Sequence, residues 1–126
     1  MPIDYHLDNE LNIRTATYTG VVTDEVLIQA CQSLLKDPAY RPDVNGLADL
    51  SHVERLDVSQ HALVQCIQMY APIDALGVRT RLAIVAPTDV TYGLSRMYEL
   101  LRGDEGPEEV HVFRDVGEAR RWLLSA

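Results

Sequence analysis

The stretch Leu47–Gln68, LADLSHVERLDVSQHALVQCIQ, decides the fold. Leu47-Ala48 opens an apolar run that reaches Asp49 and Leu50, as a strand entering a core does. A polar segment, Ser51 to Arg55, reads as a short loop. Leu56 adds one apolar contact, and Asp57-Val58-Ser59 lead into a new period. Ala62, Leu63, Cys66, Ile67 and Tyr70 recur at the three- and four-residue spacing of an amphipathic helix. Strand, loop and helix follow one another, and Ser59 falls at the helix start. A helix N-terminus carries unpaired N–H groups and a partial positive charge.

The same alternation extends in both directions. Ile3 to Leu7 and Leu11 to Thr19 read as strands around the turn chemistry of Asp8-Asn9-Glu10, which predicts an antiparallel hairpin. Gly20 then turns the chain. Thr23 caps a helix with Asp24 and Glu25 in its first turn and Val26, Leu27, Ala30, Leu34 and Leu35 on its apolar face. Pro38 ends it, and Gly46 opens the third strand. Pro72 ends or kinks the second helix. Thr80 to Ala86 is a near-continuous apolar run, the mark of a strand buried on both faces. Thr88 or Asp89 starts a third helix, with Val90, Leu94, Met97, Tyr98 and Leu101 on one face. Arg102 to Pro107 reads as a loop and Val110 to Phe113 as the last strand. Asp115 and Glu118 resemble a capping box ahead of a closing helix that bears Trp122 and Leu123. The order β-β-α-β-α-β-α-β-α predicts an α/β fold: a single mixed, mostly parallel sheet of about five strands with about four helices, residues 1–126 forming one domain. Ile84, Leu63, Ile67, Leu94 and Trp122 are expected in the core.

Composition narrows the function classes. The chain has 126 residues and a net charge of −8, with no basic stripe. That balance repels phosphate backbones and speaks against nucleic acid. No run approaches the roughly 20 apolar residues of a membrane helix. The start, MPIDYHLD, lacks the basic and apolar regions of a signal peptide, so the expected location is cytoplasmic. Cys31 and Cys66 lie on apolar helical faces and read as buried thiols.

In a parallel sheet, ligands favour the crevice at the carboxyl ends of the strands. Asp49, Ser51, His52, Asp57, Ser59, His61, Asp89 and Tyr92 fall at or near that edge and form the candidate ligand or partner edge. Ser51-His52, Ser59 and His61 contain serine and histidine, but no Gly-x-Ser-x-Gly elbow supports a hydrolase. The histidine and aspartate spacing matches no zinc or calcium pattern. No phosphate-cradling glycine loop is present. No catalytic residue, metal or cofactor is therefore assigned. Ser59 reads first as an N-cap.

The segment ADLSHVERLDVSQ resembles the core motif of STAS domains, the family of the anti-sigma-factor antagonist SpoIIAA. Asp49-Leu50-Ser51-His52-Val53 and Asp57-Val58-Ser59 match its order and spacing. Val58 replaces the first serine of the family's Asp-Ser-Ser-Gly, and Gln60 replaces its glycine. APTDVTYGLSRMYELL and VHVFRDVGEARRWL resemble the SpoIIAA-like branch related to STAS and CRAL-TRIO proteins. The resemblance implies the SpoIIAA-like (STAS) topology and a bacterial, non-enzymatic regulatory or protein-interaction module. It also implies Ser59 as a phospho-acceptor. The CRAL-TRIO likeness implies the alternative, a small hydrophobic-ligand or lipid-binding module. A small enzyme is the least supported reading. The partner is then a protein or a small hydrophobic molecule, and monomer and homodimer both stay open. A regulatory serine predicts that Ser59→Asp changes partner binding and leaves melting nearly unchanged.

Overall fold

The alternating periods fold in the order in which they are read. The computed structural model describes residues 2–125. Its elements are β1 (Ile3–Asp8), β2 (Ile13–Thr23), α1 (Asp24–Lys36), β3 (Asn45–Asp57), α2 (Gln60–Met69), α3 (Ala71–Asp74), β4 (Thr80–Val85), α4 (Asp89–Arg102), β5 (Glu108–Phe113) and α5 (Val116–Leu124). The five strands form one sheet in sequence order. β1 runs antiparallel to β2, and β2 through β5 are parallel. The hairpin turn forms because Asp8 Oδ1 accepts from the N–H groups of Glu10 and Leu11. Asn12 closes it in the left-handed region, which asparagine tolerates better than most residues.

Each parallel strand is added on the same side of the last. Right-handed crossovers therefore leave α1, α2 and α4 on one face of the sheet. Strand alternation then divides the core. Ala48, Leu50, Ile84 and Val110 point toward α4, together with Tyr98. Leu47, Ala83 and Val85 point the other way, where Ala119 and Leu123 of α5 meet them. Leu27 and Cys31 of α1 pack with Leu63 and Cys66 of α2 over Ala16 and Val22 of β2. α3 is a single turn that Pro72 starts.

Three expectations change. Ser51 to Arg55 is not a loop, because β3 continues through it to Asp57. β4 pairs with β3 only from Gly46 to Asp49. Beyond Asp49, β3 is held by β2 alone, which likewise passes through Gly20 to Thr23. Two register shifts, at Thr17/Thr19 and Gly20/Val21, let this ribbon leave the sheet. Gly20, with φ of 65°, supplies the left-handed residue at the second shift. The ribbon's polar residues follow from its exposure, which local composition alone reads as a loop.

The second change concerns α4: Met97, Tyr98 and Leu101 pack against the core as expected, but Thr91, Ser95 and Arg102 also turn inward beside them. Thr91 and Ser95 are buried, while Val90 is 65% exposed. Arg102 belongs to the helix and not to the following loop. Its side chain is 6% exposed and donates to Asp74 at 2.6 and 3.0 Å and to Glu108 at 3.2 Å. The polar stripe turned inward displaces Val90. In the third change, Leu63 and Ile84 are buried as expected, but Ile67, Leu94 and Trp122 are only partly so. Trp122 instead stacks on His111 with 4.5 Å between ring centroids.

Candidate functional site

The long β2–β3 ribbon determines where two helices begin. Thr23 and Asp57 are paired at its tip. The chain enters α1 directly after Thr23 and α2 directly after Ser59, two residues beyond Asp57, so both N-termini lie side by side. Ser59 caps α2, its Oγ accepting from the N–H of Ala62 at 3.2 Å. The same hydroxyl donates to Asp24 Oδ2 at 2.6 Å, and the Ser59 N–H donates to Asp24 Oδ1 at 2.7 Å. Asp24, the first residue of α1, thus holds the capping serine of α2 with both carboxylate oxygens. Thr23 caps α1 through the N–H of Val26. Thr23, Asp24, Glu25, Asp57, Val58 and Ser59 line a shallow depression, and Ser59 is exposed within it.

The Ser59 hydroxyl, then its N–H, holds the Asp24 carboxyl below its usual value, and the charge of His61 acts in the same direction. A carboxylate stabilised in this way keeps its bonds above the ordinary aspartate range and loses them as pH falls through its own lower value. The Ser59 amide resonance is therefore expected to stay constant through neutral pH and to move with a midpoint below the ordinary aspartate value of 3.8. A midpoint at or above that value contradicts the bidentate contact. In Asp24→Asn the titration disappears.

The sequence-derived edge is only partly assembled. Asp57 and Ser59 share the depression, and the exposed His61 is in the first turn of α2. Asp49 is at the point where β4 stops pairing, and its Oδ1 accepts from the N–H of Ser51 at 2.9 Å. Ser51 and His52 are exposed on the ribbon. Asp89 and Tyr92 belong to a different place, the start of α4. There Arg114 pairs with Asp89 at 3.0 Å and lies 4.3 Å from the centroid of the Tyr92 ring. Among the described residues no serine–histidine hydrogen bond joins Ser51, His52, Ser59 and His61, and no cluster of three metal-ligating side chains is present.

Sequence reasoning missed Asp24 as the partner of Ser59. A signal was available, because Thr23-Asp24 and Val58-Ser59 stand at the exits of successive strands. Neighbouring parallel strands with short exits bring such positions together.

A second feature lies between the sheet and the three helices on that face. A partly open cavity of about 150 Å³ is walled by Leu27, Leu63, Ile84 and other apolar side chains, with Tyr5, Tyr18, Tyr70 and Tyr98 among them. Burial pushes all four phenols upward in pKa. Their hydroxyls make no protein hydrogen bond among the described residues. No fully enclosed side-chain polar atom lacks a partner there, so these hydroxyls keep some accessible surface. Arg14 and Glu108 also line it. Burial raises the Glu108 carboxyl, and the adjacent Arg102 opposes that shift.

One mixed five-stranded sheet in this strand order, covered by helices, matches the SpoIIAA-like fold. The chain is similar to an uncharacterized protein of the DUF3478 family from Shewanella loihica PV-4, whose crystal structure is described as having a SpoIIAA-like fold. The two share 20% identity and a TM-score of 0.58 over 96% of this chain and 91% of the other. No family model and no curated protein matches the sequence. Among the described residues no helix is long and apolar enough to cross a membrane.

Proposed function

We propose that the protein is a non-enzymatic regulatory module that binds a protein partner and is switched at Ser59. The observation that supports this is the exposed Ser59 hydroxyl donating to Asp24 across two helix N-termini. A carboxylate at 2.6 Å accepts a hydrogen bond from the hydroxyl and so fixes the direction in which this exposed oxygen is presented to an incoming phosphoryl group. Once added, phosphate carries about −1.5 to −2 charges. It removes the proton shared with Asp24 and sets like charges against each other, with Asp57 and Glu25 alongside. The contact between the α1 and α2 N-termini then opens, and the surface offered to a partner changes.

This contact alters the behaviour expected of Ser59→Asp. A second carboxylate at that position faces Asp24, so melting falls relative to the parent. Adding Asp24→Asn to Ser59→Asp restores it. Ser59→Ala loses the cap and costs about 1 kcal/mol. The functional test is affinity isolation from the native cell with the parent, Ser59→Ala and Ser59→Asp as baits. The regulatory reading predicts a partner held by the parent and Ser59→Ala and released, or exchanged for another, by Ser59→Asp. Identical partners for all three remove it.

The cavity favours a second reading, a binder of small apolar molecules. Apolar cavities of about 150 Å³ accept benzene-sized ligands. The free tyrosine hydroxyls give such a ligand polar contacts, the usual composition of a small-molecule site. Native mass spectrometry of protein from its own cell is expected to show an added small mass. Ser95→Leu, from the buried wall position Ser95, is expected to abolish it. An unliganded mass in both proteins contradicts this reading.

A further inference from the structure

We propose that Cys31 and Cys66 are an oxidative modification site, at which a peroxide-class oxidant closes an intramolecular disulfide between α1 and α2. The chain contains two cysteines, and they meet: their sulfurs are 3.4 Å apart across the helix pair. Both are free and buried. Bond formation needs the sulfurs to approach from 3.4 Å to about 2 Å.

Two independent observations support reaction over simple packing. First, the register is fixed. Asp24 and Ser59 are 35 residues apart, and so are Cys31 and Cys66. Each cysteine follows its partner in the first contact by seven residues, about two helical turns. α1 and α2 therefore run alongside each other in one register, and the Asp24–Ser59 contact holds the two sulfurs opposite one another. Second, both cysteines line the partly open cavity, which admits an oxidant as small as hydrogen peroxide. The Cys31 thiol donates to the Cys66 sulfur, and that hydrogen bond holds the Cys66 thiol below its usual value. Cys66 is thus the attacking sulfur and Cys31 the resolving one.

The chemistry balances without a bound cofactor. The Cys66 thiolate attacks one peroxide oxygen, the O–O bond breaks, and a protonated hydroxide leaves as water. The resulting Cys66 sulfenic acid is attacked by the Cys31 sulfur. The S–S bond forms, the S–O bond breaks, and a second water departs. Two thiols lose two electrons and two protons, and one peroxide becomes two waters.

The test treats the reduced full chain with hydrogen peroxide, then denatures it and alkylates free thiols. The expected product is a monomer lighter by two hydrogen atoms, without alkyl groups, and with one cross-linked peptide joining Cys31 to Cys66. Dithiothreitol restores the starting mass. Melting rises by about 5–15 °C, because the bond restrains the unfolded chain. In Cys66→Ala, compared with its own reduced form, peroxide gives no such rise. Two thiols that still alkylate after treatment overturn the proposal, as does a sulfinic acid without cross-link or a disulfide-linked dimer.

Discussion

Arg102→Ala lowers the stability of the protein by about 3–5 kcal/mol. The side chain is 6% exposed and lies between Asp74 and Glu108, with the Tyr70 ring 5.8 Å from its guanidinium. Its removal leaves two largely enclosed carboxylates without their cation. The deficit depends on pH. Burial raises the Glu108 carboxyl, and Arg102 is the main group pulling it back down. Without Arg102 the folded-state value rises further above the unfolded one. The folded protein then binds more protons than the unfolded chain across that interval, and stability falls as pH rises through it. Chemical denaturation is expected to show a larger deficit at neutral pH than below the ordinary glutamate value of 4.5. A pH-independent deficit, or one under about 1 kcal/mol, contradicts the buried-pair account.

Leu63→Ala and Ile84→Ala each cost about 2–5 kcal/mol. Leu63 is 7% exposed on α2, and Ile84 is 6% exposed in β4. Both wall the cavity of about 150 Å³. Truncation therefore enlarges a space that already lacks packing atoms, and the surrounding helices have little left to close over it. Ile67→Ala, at a partly buried position on the same helix, is expected to cost less. Equilibrium unfolding of the three variants checks the order. Losses under half a kcal/mol at both Leu63 and Ile84 contradict the assigned helix and strand faces.

The sheet was legible where burial writes a period into the sequence. Thr80 to Ala86 could only be an inner strand, and Ala62, Leu63 and Cys66 fixed the inward face of α2. The ribbon was not legible. Ser51, His52, Glu54 and Arg55 are exposed on a strand paired on one edge only, so they carry no apolar alternation. α4 was read correctly at Met97, Tyr98 and Leu101 and wrongly at Val90, for a related reason. Apolar spacing placed Tyr98 inward, as found, but also Val90, while Arg102, fixed by two acidic partners distant in sequence, brings Thr91 and Ser95 inward and leaves Val90 outside. At the candidate site, Ser59 as helix cap was legible from its neighbours. Its bond to Asp24 was not, because that contact depends on two strand exits lying side by side. The cavity also escaped, since tyrosines that wall a void and tyrosines that fill a core share the same periodicity.

The central claim is that Ser59 is the switch. The most direct measurement is mass mapping of the peptide containing Ser59, using protein isolated from its native cell across growth states. The account predicts one phosphate at Ser59 in at least one state, absent from the neighbouring Ser51. A Ser59 that is unmodified in every state contradicts it.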